Sequence, residues 1–187
     1  MFGVGDFRNL KALAAKLTVV AGLLAGLLGA LWAAPAAAQG DPSFVTLSAG
    51  SYDFNRQKQP AVEYGMQYRS DLKLWIFQPM AGFMVNTNSS SMLYAGISLD
   101  IFFGNRIVLR PSFAPGWYNR NRGEDLGYPL EFRSAVELSY RFDDRSRLGV
   151  ELYHMSNAHL GDKNPGEESI NLVYSLPTTT LSKWFGD

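Results

Sequence analysis

"LEFRSAVELSYRF", residues 130–142, repeats with a period of two: Phe132, Val136, Leu138, Tyr140 and Phe142 fall on one side of an extended chain, and Glu131, Arg133, Glu137, Ser139 and Arg141 on the other. Only a β-strand sorts side chains onto opposite faces at that spacing; a helix would smear them around its axis. The same rule holds in "AVEYGMQYRS", residues 61–70, where Val62, Tyr64, Met66 and Tyr68 alternate with Glu63, Gly65, Gln67 and Arg69. Eight such stretches can be traced, at about 43–53, 60–70, 72–86, 91–104, 106–119, 130–142, 146–158 and 168–177. The breaks between them, among them "NRQKQ", "NTNSS", "NRNRGEDLG" and "DDRS", are rich in turn formers or charge.

Alternating strands suit two architectures: a soluble lipocalin-like barrel or sandwich with its apolar face inward, and a membrane barrel with that face outward. Many of these stretches run ten residues or more, close to the nine to eleven that a tilted strand needs to cross a bilayer. Ordinary globular strands average about five or six. The polar face carries Glu63, Arg69, Glu131, Arg133, Glu137, Arg141, Arg147 and Glu151, a set of opposite charges that suits a filled barrel lumen. A closed barrel also satisfies every backbone group of a sheet in lipid. The predicted fold is therefore all-β: an eight-stranded antiparallel up-and-down transmembrane barrel, small enough for side chains to fill its interior.

The bulk numbers agree. The chain has 187 residues, one domain by length. Its 47% apolar content argues against disorder, and its net charge of zero gives no signal for nucleic acid. There are no cysteines, which removes disulfides, thiolate metal sites and a lipoprotein anchor. Arg8, Lys11 and Lys16 precede an uncharged apolar run from Leu17 to Trp32, and "APAAA" follows, so residues 1–38 read as a signal peptide cleaved after Ala38, with 39–187 as the barrel. An uncleaved membrane helix is the alternative that the length permits. That segment holds three basic and one acidic residues of the 17 of each sign, so the mature chain sits near −2.

Chemistry is concentrated in "LYHMSNAHLGDKNPGEESINL", residues 152–172. On a strand, Leu148, Val150, Leu152, His154 and Ser156 share the lipid-facing side, as do Glu168, Ile170 and Leu172 on the last strand. If Leu152 faces Ile170 and Val150 faces Leu172, His154 falls opposite Glu168, with Cβ atoms roughly 4.5–5.5 Å apart. Polar groups near hydrocarbon are costly, so ionisable residues there read as functional by default. A serine hydroxyl needs a base to take its proton, and a carboxylate on the far ring nitrogen orients that base. Ser156, His154 and Glu168 are the residue types for those roles, while the plainer reading leaves all three above the membrane edge with no chemistry. Glu167 has the wrong parity to serve as the acid.

"RLGVELYHMSNAHL" followed by "NPGEES" resembles the active-site region of the PagL-type lipid A 3-O-deacylases. The matching residues are His154, Ser156, Asn157 and Ala158, then Glu168 twelve residues after the serine, and "LEFRSAVELSYRF" looks like the family's preceding strand. The close resemblance covers about 126–177; further toward the N-terminus only general barrel character is shared. It implies a carboxylic ester hydrolase of the outer membrane that removes the acyl chain at position 3 of lipid A through a Ser156–His154–Glu168 triad, with no metal or other cofactor. It also implies that Asn157 positions the site and stabilises the oxyanion, with N–H groups around Asn157 and Ala158 as further donors. His159 stands where the pattern leads one to expect a small residue.

Arg120 and Arg122 in "NRNRGED", with His159, are candidate contacts for lipid A headgroup phosphates, since guanidinium forks suit phosphate. Asp143, Asp144, Asp162 and Glu167 lack the spacing of a calcium loop. The ten residues after Pro177 read as a short extension or an extra half strand. Expected partners are lipid A or lipopolysaccharide and outer-membrane lipids, no nucleic acid, with a homodimer left open. The rival functions are a broader phospholipid or fatty-ester hydrolase, a non-catalytic structural or adhesive barrel, and a soluble lipocalin-like binder.

Overall fold

The computed structural model describes residues 41–185, and the period-two stretches form its strands: β1 (Phe44–Tyr52), β2 (Ala61–Arg69), β3 (Gln78–Asn86), β4 (Ser91–Ser98), β5 (Ile101–Phe103), β6 (Ile107–Asn119), β7 (Leu130–Arg141), β8 (Arg147–Ser156) and β9 (Glu167–Pro177), followed by a helix, α1 (Thr178–Phe185). Strands adjacent in the sheet run antiparallel, and β1 pairs with β9 to close it. β4 and β5 both lie along β6 and together make one barrel strand, so the closed barrel has the expected eight. The interruption has a local cause in proline. Leu99 N–H donates to the Pro111 carbonyl at 3.1 Å, but Pro111 has no N–H to return.

Alternation becomes a wall with two different surfaces. In β7, Glu131, Arg133, Glu137 and Ser139 are buried, whereas Val136 and Leu138 are 48% and 55% exposed. Leu47, Met66, Phe83, Leu93, Val150 and Leu172 extend the exposed apolar band around the barrel. Tyr68, Tyr140 and Tyr174 ring it toward one end, Tyr64 and Trp117 toward the other. A belt of that extent would be unstable in water and suits hydrocarbon.

Inside, most of the arginines are paired with carboxylates. Arg110 bonds Glu137, and Arg133 bonds Glu151. Arg69 meets Asp100 at 2.7 Å, and Arg147 bridges Asp41 at 2.7 Å and Asp100 at 2.8 Å. The Arg69 and Arg147 guanidiniums also sit over the Phe44 ring, at 4.5 and 4.7 Å. Asp100 reaches this cluster because the β4–β5 break releases it from the ladder. Further along, Glu63 accepts from Tyr153 and from Asn171. Tyr52, Met80, Met84, Met92 and Met155 fill the space between these groups.

The segments 53–60, 87–90, 120–129 and 157–166 gather at one end of the barrel, while 70–77, 104–106 and 142–146, with Asp41 and α1, lie at the other. Two boundaries differ from the sequence reading. Residues 72–77, an apolar run taken as the start of a strand, fold back on themselves: Leu74 and Phe77 bridge, and Trp75 adopts a φ of +62°. After Pro177 the chain turns into α1, with Thr178 N–H donating to the Ser43 carbonyl at 2.8 Å, and adds no half strand. The signal segment expected over 1–38 lies outside the described residues.

Candidate active site

β8 and β9 pair in the register their apolar rows demand: Val150 with Leu172, Leu152 with Ile170, and His154 with Glu168. A slip of one residue would turn every leucine of the hairpin into the lumen, so burying the outer row in lipid sets the alignment. His154 Nδ1 lies 3.0 Å from Glu168 Oε1, on the outer wall, with the two side chains 48% and 31% exposed. Ser156 ends β8 on the same face, half-buried, opposite Phe132 of β7. Phe132 stacks on Phe113 with ring centroids 6.0 Å apart, an apolar floor beside the hydroxyl. Among the described residues no hydrogen bond links Ser156 to His154. That contact commonly tightens only when substrate arrives. With a carboxylate at Nδ1, the imidazole keeps Nε2 free to accept a hydroxyl proton.

The loop 157–166 after Ser156 is held by Asn157, which is fully buried. Its Nδ2 donates to the carbonyls of Leu126 at 2.7 Å and Lys163 at 2.8 Å, and its Oδ1 accepts from His159 N at 2.9 Å. Its own N–H donates to Asn164 Oδ1 at 3.0 Å. Asn157 thus has its polar groups committed to the loop, which suits a positioning role. Ala158 is exposed, and its N–H has no acceptor among the described residues. Ala158 and His159 both take left-handed backbone, with φ of +53° and +63°.

Gly166 closes the loop against the imidazole. At φ +68°, a Cβ placed there would lie 2.8 Å from His154 Cε1. Gly166→Ala therefore combines backbone strain of about 1–2 kcal/mol with displacement of the ring. We expect turnover to fall by about 10- to 100-fold, since misplacing a reacting group by about 1 Å can cost 10²-fold. Kinetics of the variant, beside its melting curve in detergent, check this; wild-type turnover would show that the ring has room.

Glu168 has a second neighbour that the sequence reading did not single out. Its Oε2 lies 3.9 Å from Arg56 Nε, in the 53–60 loop. Arg56 also bonds Asp53 at 3.2 Å, Glu124 at 2.7 Å and the Pro165 carbonyl at 2.9 Å. Burial pushes the Glu124 carboxyl up from its usual range, with Arg56 opposing. No local motif marks Arg56 or Gly166: the one acts across more than a hundred residues of chain, the other through an absent side chain.

Of the expected headgroup residues, Arg120 pairs with Asp125 at 2.9 Å, Arg122 donates to Ser89 Oγ at 3.1 Å, and His159 is exposed beside Asn164. Bonds from Lys163 and from the Gly127 N–H hold the Asp125 carboxyl below its usual range. Trp117, Asn119, Arg120, Leu126 and Tyr128 line a cleft of about 430 Å³ at this end of β6. The structure thus brings His154 and Glu168 into contact, sets Ser156 on their row, and leaves Arg120 and Arg122 in a neighbouring loop. Glu167, adjacent to the acid, points into the barrel, where Oε1 accepts from Asp53 N–H at 2.9 Å and from Ser169.

A family model for lipid A 3-O-deacylase (PagL) matches residues 44–177. A curated relative, the lipid A deacylase PagL of Pseudomonas aeruginosa, is 30% identical over 83 residues, which cover 44% of this chain and 40% of the relative's length. The fold is similar to the crystal structure of the outer membrane enzyme PagL, with a TM-score of 0.58 and 22% identity over 72% of this chain and 99% of that one. It is also similar to a de novo designed transmembrane β-barrel, with a TM-score of 0.51 and 13% identity over 73% of this chain and 96% of the design.

Proposed function

The chain belongs to the lipid A 3-O-deacylase (PagL) family, and from that membership we propose that it is an outer-membrane serine esterase that hydrolyses the 3-position acyl ester of lipid A and releases a 3-hydroxy fatty acid. The observation that carries the reading is the His154–Glu168 contact at 3.0 Å on an apolar outer wall, with Ser156 on the same row. Nothing in the packing of a purely structural barrel calls for a carboxylate and an imidazole to be held there, since each is costly beside hydrocarbon.

In this mechanism Ser156 Oγ attacks the ester carbonyl while His154 Nε2 takes its proton. Glu168 orients the ring and stabilises the imidazolium. The imidazolium then protonates the departing sugar oxygen, leaving an acyl-serine. His154 next activates a water, which adds to the acyl carbon and frees the 3-hydroxy fatty acid. Ala158 N–H is our candidate oxyanion donor, with Asn157 holding it in place. The Phe132–Phe113 floor receives the acyl chain. Arg120, Arg122 and His159 lie on the loops where the phosphorylated sugar would sit, and the cleft beside Trp117 and Tyr128 has room for part of it.

The test is mass spectrometry of purified lipid A incubated with detergent-folded protein, with phospholipid assayed alongside. Loss of one 3-hydroxyacyl chain from lipid A is the expected result, its position read by fragmentation. Release from phospholipid alone would favour a broader lipid hydrolase, and no release from either would favour a non-catalytic barrel.

A further inference from the structure

We propose that Arg56 is a positioning residue for the catalytic acid: its guanidinium faces Glu168 Oε2 and holds that carboxylate turned toward His154. The inference rests on the triad reading above. Glu168 Oε2 is buried and has no hydrogen-bond partner among the described residues. The cation that faces it is Arg56, at 3.9 Å. Arg56 is itself fixed from three sides, by Asp53 in its own loop, Glu124 in the 120–129 loop and the Pro165 carbonyl next to Gly166. The backbone is tied as well, because Phe54 N–H donates to the Glu168 carbonyl at 3.1 Å.

The charges around the acid explain why a cation is needed. Glu168 meets His154 from β8 and Arg56 from the 53–60 loop, and Arg56 in turn meets Asp53 and Glu124, the latter also under the influence of the Lys58 cation, while β7 offers the uncharged Ser134 opposite His154. Lys58 and Gln59 reach Asp53 through backbone N–H groups at 2.7 and 2.8 Å. Without Arg56, three carboxylates crowd the loop end with no guanidinium between them. Like charges favour protonation, and loss of a nearby cation favours the imidazolium.

The experiment reads His154 directly. The chain has two histidines, His154 and His159, so imidazole NMR of ring-labelled protein in detergent micelles resolves both, with His159 as internal reference. We expect Arg56→Gln to move the His154 titration measurably to higher pH, and Arg56→Lys to restore most of the wild-type behaviour. In parallel, kcat on lipid A falls about tenfold or more for Arg56→Gln with KM little changed, and the acid limb of the kcat/KM profile moves to higher pH. Glu124→Gln is the structural control, because it loosens the same loops while keeping the cation; its acid limb does not move to higher pH. An unmoved His154 titration in folded Arg56→Gln overturns the proposal, as does a loss of rate with an unmoved limb that Glu124→Gln reproduces. If wild-type protein shows no Ser156-dependent turnover but the titration moves as expected, the electrostatic coupling stands and the esterase reading falls.

Discussion

Ser156→Ala is expected to abolish the proposed hydrolysis of lipid A and to leave the barrel standing. On the proposed mechanism the hydroxyl forms the acyl intermediate, and removing a triad nucleophile typically lowers kcat by on the order of 10⁶-fold. A fall of at least about 10³-fold is therefore expected even if water attacks slowly in its place. Stability has little reason to change. Ser156 is half-buried at the last position of β8, and its Oγ makes no hydrogen bond among the described residues, so alanine leaves no orphaned partner. Substitutions of that kind usually fall within about 0.5 kcal/mol. The check is acyl release followed by mass spectrometry, with the folded fraction of each preparation measured by heat-dependent gel mobility. A folded Ser156→Ala that still releases acyl chain at near the wild-type rate would remove Ser156 from the chemistry.

Arg147→Ala, at the opposite end, attacks stability and spares the site. Arg147 is fully buried, joins Asp41 and Asp100, and stacks on Phe44. Its loss leaves two carboxylates with one fewer partner each: Asp100 keeps Arg69, and Asp41 keeps Arg141. Breaking a buried ion cluster from one side costs about 3–5 kcal/mol, because the remaining charge stays desolvated. The midpoint of guanidinium-induced unfolding in micelles should drop accordingly. Removing charge from both sides, as in Arg147→Met with Asp41→Asn, should recover part of the loss, since the other partner of Asp41, Arg141, is partly exposed. A drop below about 1 kcal/mol in Arg147→Ala would mean that water reaches this part of the lumen.

Much of this architecture can be read from the chain because the bilayer enforces a period of two on every strand. Leu152 and Ile170 face each other for the same reason that both are apolar, and the His154–Glu168 pairing follows from that register without a tertiary model. The 72–77 run shows the limit of the rule: Leu72, Leu74 and Trp75 are apolar and exposed in a turn, so composition alone does not separate a strand end from a tight reversal. The β4–β5 break inside the expected 91–104 stretch is invisible in the alternation, because its cause, the missing donor of Pro111, acts from the neighbouring strand. Arg56 was not legible at all. Its approach to Glu168 depends on which loops share an end of the barrel, and that is settled by closure between β1 and β9 rather than by any local pattern.

Placing His154 and Ser156 on the outer wall also changes the variable in which the kinetics of the proposed activity are expressed. On the proposed reading the site opens sideways into the leaflet, so the substrate is a component of the same two-dimensional phase that solvates the protein. Its governing concentration is then a mole fraction among lipids, and a KM in moles per litre describes the dispersion in the tube rather than the encounter. Turnover measured in mixed micelles depends on surface dilution by inert amphiphile, and comparisons between preparations are meaningful only at matched surface composition.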